Sequence, residues 1–145
     1  MEQNFRTRNR YWISLNYLSL MAVLAFFYMG KSLQWPAFVI ILEIGLLVIF
    51  IISFYQAFIK TKFWNMVHTS KKNLDEREMQ AVLNGLKYAY SIFTIITLII
   101  IYTFAILDHR PLDVIFAAAL LLLAHTLPAA IIGWNEKYSP DGGNS

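Results

Sequence analysis

The chain has 145 residues, of which 58% are hydrophobic and only 14% are charged, and its formal net charge is +3. Soluble domains carry roughly 25% charged residues, and a chain this short could not hide so much apolar surface from water. The absence of cysteine excludes a disulfide framework, a thiolate nucleophile and a thiolate metal site, so the composition indicates a protein surrounded mainly by lipid.

Four apolar runs follow one another along the chain, and each is long enough to cross a bilayer, which takes about 20 helical residues. A basic N-terminus at 1–10 precedes them, a polar loop at 60–87 divides them into pairs, and a tail at 135–145 follows them. The tail is rich in Gly, Pro and Asn, which is typical of a flexible segment. The predicted spans are 11–29, 36–59, 88–107 and 112–134.

The spans are expected to be helices, because a backbone in hydrocarbon must satisfy its own hydrogen bonds. The connections at 30–35 and 108–111 are short, and short connections join antiparallel neighbours. The sequence therefore predicts an all-α integral membrane four-helix bundle made of two antiparallel transmembrane hairpins.

The distribution of basic residues predicts the orientation of these hairpins. Of the 12 Lys and Arg residues, Lys31 and Arg110 fall in the two short connections, which leaves 12 − 2 = 10 on the opposite side. Basic residues accumulate on the cytoplasmic side of a membrane, so both termini and the loop at 60–87 are expected there. The basic N-terminus is expected to touch anionic lipid, and neither it nor the loop indicates a nucleic-acid partner.

The loop contains a short charged motif before the third span. Its first part mixes bases with Phe63 and Trp64, which suits a turn of interfacial helix. Asn73 or Asp75 is then expected to cap an amphipathic helix that continues into the third span.

That motif, Asp75-Glu76-Arg77-Glu78, has three interpretations. It is a solvated helix start with local ion pairs, a docking point for a partner at the inner face, or, with His68, a loose metal site. No closed set of metal ligands is present, and no cofactor is predicted.

Glu43 is an ionisable residue inside the second span, about 10 Å below the outer surface. Such residues are costly in lipid, so a proton or cation site with a bundle partner is one interpretation. The alternative is a protonated, hydrogen-bonded carboxyl that fixes packing. The candidate partners at its depth are Tyr28, Tyr102 and Thr103.

His125 lies in the fourth span, three residues before Pro128, which is expected to kink the helix. Small residues on its face predict that it points inward, as a proton carrier, a metal or ligand contact, or a simple hydrogen-bond donor. It lies about 10 Å from the level of Glu43, which is too far for a direct dyad. An inner polar layer is predicted instead, formed by His125 with Asn16, Ser19, Thr94 and Thr97.

Several short motifs, mainly in the second half of the chain, resemble those of small uncharacterised bacterial four-span membrane proteins with an Asp-Glu-Arg-Glu motif in the inner loop. They are Phe63-Trp64, His68, Leu74–Glu78, Tyr90–Phe93, His125–Pro128 and Trp134. The resemblance implies the four-span architecture, a bacterial cytoplasmic (inner) membrane and the importance of Asp75 to Glu78. It implies no activity.

Three classes of function follow from these features. The leading hypothesis is an interaction or structural component that self-associates or holds a membrane or cytoplasmic partner. The second is a small proton- or cation-coupled transporter that uses Glu43. The third is an intramembrane enzyme, although no nucleophile–base pair or phosphate-binding glycine loop is present.

Overall fold

The computed structural model describes residues 2–69, 74–108 and 113–135, and all regular structure in these ranges is helical. Two α-helices, the ones that end at Phe54 and at Thr103, are each followed by a π-helical turn, Tyr55–Ile59 and Phe104–Asp108. The predicted all-α class is confirmed. The helices are α1 (Glu2–Ser32), α2 (Ala37–Phe54), α3 (Phe63–His68), α4 (Glu76–Thr103) and α5 (Val114–Asn135).

Four of the described helices, α1, α2, α4 and α5, are long and apolar enough to cross a membrane. Each coincides with one predicted span, and α1 and α4 extend beyond their spans at the N-terminal end. Most of their large apolar side chains are exposed, as expected of helices that lie in a bilayer. The chain is a multi-pass membrane protein.

The described residues form two compact units, one ending at Lys62 and the other beginning at Phe63. The first unit is a hairpin of α1 and α2, called hairpin 1 below, and the second is a hairpin of α4 and α5 with α3 packed on it, called hairpin 2. Both predicted antiparallel pairs are therefore present. The assembly of the pairs into one bundle stays a prediction.

A tight turn joins α1 to α2. Gln34 and Trp35 have left-handed backbone angles, φ 58° and 57°, and the Trp35 N–H donates to the Gly30 carbonyl at 2.8 Å. The Trp35 indole packs so closely over Gly30 that a Cβ there would lie 2.7 Å from the ring. It also meets Phe27 edge-on, with ring centroids 5.4 Å apart. Glycine is therefore required at this contact.

Close packing also defines hairpin 2. A Cβ on Gly85 of α4 would lie 2.8 Å from Ile132 Cγ1 and 3.3 Å from the Pro128 carbonyl oxygen of α5. Near the other end of the hairpin, Phe104 and Phe116 pack edge-on with ring centroids 5.4 Å apart. Small residues permit such approach between membrane helices, where dispersion replaces the hydrophobic effect as the attractive force.

The short helix α3 confirms the predicted helical turn after the second span. Phe63 and Met66, one turn apart, are buried, whereas His68 is exposed. α3 contacts both α5 and α4, so its apolar face is covered within hairpin 2. Predictions that fall on Lys71, Lys72, Asn73, His109, Arg110 and the tail at 136–145 lie outside the described residues.

Candidate functional site

Asn16 is the centre of a polar contact inside hairpin 1. Its side chain is 1% exposed, and its Nδ2 donates to Ser53 Oγ at 3.1 Å and to the Phe50 carbonyl at 3.2 Å. Ser19, one turn along α1, donates its hydroxyl to the Asn16 carbonyl at 2.8 Å. This part of the predicted polar layer exists, and it joins α1 to α2.

Sequence reasoning missed Ser53. A serine in a long apolar run usually donates to its own helix, and Ser53 Oγ does donate to the Phe50 carbonyl at 2.9 Å. Its second role, as acceptor for Asn16, depends on the register between α1 and α2. The only signal available in the sequence was that a buried asparagine needs a partner of this kind.

Glu43 is 9% exposed and lies two helical turns before Phe50, on the side of α2 that packs against α1. The bond between Asn16 and Ser53 sets the register of the two antiparallel helices. A residue ten positions before Ser53 on α2 therefore lies level with the residue ten positions after Asn16 on α1. Glu43 is thus level with Phe26. Among the described residues, nothing forms a hydrogen bond with its Oε2.

The three residues expected at the depth of Glu43 have the following contacts and exposure. Tyr102 is 63% exposed, and Thr103 donates its hydroxyl to the Ile99 carbonyl of its own helix at 2.7 Å. Tyr28 packs edge-on against Phe27, with ring centroids 5.6 Å apart. A dedicated hydrogen-bond partner for the Glu43 carboxyl is not among these contacts.

His125 was expected to point into the protein interior, and its side chain is not covered within hairpin 2. Its ring is exposed, and Nδ1 lies 3.1 Å from the Leu121 carbonyl oxygen one turn earlier. Since a carbonyl only accepts, Nδ1 donates in this contact and the neutral ring keeps an acceptor at Nε2. The buried face of α5 near this level is formed by Thr126 and Leu127 instead.

Thr94 and Thr97, the two threonines predicted for the same layer, differ in the hydrogen bonding of their hydroxyl groups. Thr94 donates its hydroxyl to the Tyr90 carbonyl at 2.8 Å, within α4. The Thr97 hydroxyl oxygen is buried and has no hydrogen-bond partner among the described residues. Among the residues predicted for this layer, Asn16 is the one with described bonds to another helix, and these bonds lie within hairpin 1.

The acidic motif begins α4 with a capping box. Asp75 Oδ1 accepts from the Glu78 N–H at 2.7 Å, and Glu78 Oε2 accepts from the Asp75 N–H at 3.2 Å. The helix therefore begins where Asp75 was expected to cap it. Two of the three carboxylates proposed for docking accept these bonds, and Asp75, Glu76 and Arg77 are all exposed.

His68, the last residue of α3, contacts Trp64 of the same helix. Its ring stacks on Trp64, with centroids 4.3 Å apart, and Nδ1 donates to the Trp64 carbonyl at 2.8 Å. Within the described ranges, no group of three His, Asp or Glu side chains is arranged to hold a metal ion.

Compared with protein families, with curated proteins and with solved structures, the chain shows no significant match. The function is therefore inferred from the physical properties of the residues described above.

Proposed function

We propose that this protein is a membrane-embedded interaction component that self-associates through the exposed face of α5. The observation that carries the proposal is the exposure of His125. It is the twelfth residue of the 22 in α5, so it lies near the midpoint of the span. Ionisable residues at that depth almost always face protein or a water-filled cavity, because contact with lipid tails is costly.

The residues around His125 favour the packing of another helix over this face of α5. Val114, Ala118, Leu121 and His125 are all exposed, and they recur at intervals of four, three and four residues. This spacing is the alternation of core positions in a left-handed helix pair. Ala118 permits close approach, and a single polar residue at a core position commonly fixes register.

A second copy of the chain fits this face, because a two-fold pair brings the same stripe of each copy together. Two copies inserted in the same direction place their His125 rings at one level, where a shared proton or a water molecule joins the two Nε2 atoms. Nδ1 keeps its bond to Leu121 in this arrangement.

The test measures energy transfer between donor- and acceptor-labelled copies in vesicles at falling protein-to-lipid ratio. Labels are attached to a cysteine introduced at exposed Asn4, which is specific because the chain contains no cysteine. Ala118→Ile and His125→Leu are expected to lower the transfer efficiency. Ala25→Ile, the same substitution at an exposed alanine of α1, is expected to leave it unchanged.

Energy transfer no higher than that of random mixing would contradict self-association. Transfer that is equally strong in all three variants would show that copies associate through another surface.

Transport by way of Glu43 is a second candidate function, supported by the buried Oε2 that lacks a hydrogen bond among the described residues. A carboxyl opposite an apolar stretch of α1 can accept a proton or cation that enters from the nearby surface. Glu43→Gln keeps the side chain's size and removes its charge. Loss of a proton- or cation-coupled flux in vesicles containing this variant would support transport, and an unaltered flux would exclude Glu43 from it.

For the orientation, we propose that the N-terminus and the α3 region lie on the cytoplasmic side of a bacterial inner membrane, supported by the ten-to-two distribution of basic residues. The test labels single cysteines on intact cells with a reagent that does not cross membranes. Gln34→Cys is expected to react and Asn65→Cys, also exposed, to be protected. The reverse pattern would overturn the orientation.

A further inference from the structure

A cavity of about 410 Å³ lies at the end of hairpin 1 away from the Trp35 turn, between the first turns of α1 and the end of α2. It is partly enclosed and lies within the usual range of small-molecule pockets, about 300–1,000 Å³. Its lining residues are Phe5, Arg8, Asn9, Trp12, Gln56, Lys60 and Thr61.

The lining has the chemistry of an anion site. It contributes one guanidinium, one ammonium and two carboxamides, and no carboxylate. Within the described residues, no acidic side chain forms an ion pair with Arg8 or Lys60, and both side chains line the cavity. Asn9, which also lines the cavity, is 2% exposed and adds a buried polar side chain to it. Arginine and lysine together suit a phosphate, which offers several acceptor oxygens.

The π-helical turn at the end of α2 builds one wall. The Lys60 N–H bonds to the Tyr55 carbonyl at 2.9 Å, five residues earlier, and the buried Thr61 hydroxyl donates to the Ala57 carbonyl at 2.6 Å. These bonds fix the backbone that carries Gln56 and Lys60. Single π-helical turns are uncommon and frequently occur at functional sites.

The position of the cavity favours a lipid as the source of the phosphate. In the sequence, Arg8 and Asn9 come just before the apolar run that begins at Tyr11, and Lys60 and Thr61 come just after the second span, so the cavity is expected at headgroup level. Trp12 and Phe5 offer apolar surface beside the charges, which suits the junction between a headgroup and its acyl chains. Basic pockets between transmembrane helices are known to bind anionic lipid headgroups.

We propose that this cavity binds the phosphate group of an anionic phospholipid, with Arg8 and Lys60 contacting the phosphate oxygens. The site belongs to hairpin 1 and is independent of self-association through α5.

The test uses the full chain and counts bound phosphatidylglycerol by native mass spectrometry after release from vesicles of phosphatidylcholine with added phosphatidylglycerol. Each basic side chain near an anionic headgroup strengthens binding roughly fivefold, so Arg8→Gln/Lys60→Gln is expected to weaken retention about 30-fold. Arg10→Gln/Lys62→Gln removes the same charge from the same end without touching the cavity lining, and it is expected to retain the lipid.

A second variant distinguishes loss of the site from loss of the fold. Gln56→Glu is nearly isosteric and adds a negative charge to the cavity wall, so it is expected to reduce retention while the helical circular dichroism stays unchanged. A matched experiment adds inorganic phosphate to the protein in the vesicles that contain phosphatidylglycerol, before the bound lipid is counted.

An equal loss of phosphatidylglycerol retention in both double variants would show a general effect of charge and overturn the site. Undiminished retention in Arg8→Gln/Lys60→Gln would also overturn it. Saturable binding of inorganic phosphate that displaces the lipid would overturn the assignment to phospholipid. Retention that depends on Arg8 and Lys60 and resists inorganic phosphate would support the proposal.

Discussion

Asn16 and Ser53 are 37 residues apart in the chain, yet the asparagine Nδ2 lies 3.1 Å from the serine Oγ. Both side chains are buried, and both bond to the Phe50 carbonyl. The amide nitrogen of Asn16 in α1 thus donates to two groups of α2, which are themselves bonded to each other. Because a lost bond leaves a polar group in an apolar interior, this contact fixes the rotation of α1 against α2.

We expect the Asn16–Ser53 bond to be measurable in a double-mutant cycle. Asn16→Ala is expected to destabilise the protein by about 1–2 kcal/mol, with a coupling to Ser53→Ala of about 0.6 to 1.7 kcal/mol. The measurement is the free energy of unfolding in mixed micelles titrated with a denaturing detergent. Thr94→Ala, which removes a hydroxyl bonded within its own helix, is the control. A coupling of zero would mean that the two groups do not interact in the folded protein.

Gly85 is expected to tolerate no side chain without loss of stability. In Gly85→Ala the new methyl group meets Ile132 Cγ1 at 2.8 Å and the Pro128 carbonyl at 3.3 Å, so we expect a destabilisation of about 1–3 kcal/mol. Gly45, with open space around it, is the matched control, and Gly45→Ala is expected to be neutral or stabilising by up to about 1 kcal/mol.

The cause of that difference can be tested by relieving the clash. In Gly85→Ala/Ile132→Ala the two costs are expected to be less than additive, because residues in contact do not act independently. Equal stabilities of Gly85→Ala and Gly45→Ala would contradict the close packing of α4 on α5.

Substitutions at Asp75 and Glu76 are expected to distinguish two roles of the acidic motif, helix capping and the docking of a partner. Asp75→Ala removes the acceptor for the Glu78 N–H and is expected to cost about 1 kcal/mol, with faster hydrogen exchange confined to the first turn of α4. Asp75→Asn is expected to retain most of the cap. Glu76→Gln and Arg77→Gln are expected to leave exchange unchanged, so an effect of these two on partner capture would identify docking apart from helix capping.

The stripe on α5 predicts a pattern of cross-links. In the cysteine-free chain, single cysteines at Val114, Ala118 and Leu121 are expected to form disulfide-linked dimers in membranes under mild oxidation. Ile115 is also exposed but points about 90° away from the stripe, so Ile115→Cys is expected to cross-link poorly. Uniform cross-linking at all four positions would indicate random collision.

The amino-acid sequence by itself determined the four spans, the two hairpins and the start of α4. Each follows from a local property: the length of an apolar run in lipid, the shortness of a connection, or the reciprocal bonds of Asp75 and Glu78. None requires knowledge of which face of a helix meets another. Most of the backbone could therefore be predicted.

Only the tertiary structure decided which side chains meet. Spans that are apolar on every face do not reveal how each helix is rotated, and a change of one residue in register turns a side chain by about 100°. This is why the pairing of Asn16 with Ser53 and the exposure of His125 on hairpin 2 could not be predicted. The cavity beside Arg8 and Lys60 also depends on the π-helical turn at the end of α2. The α-helical period of about 3.6 residues does not predict the direction of side chains in such a turn.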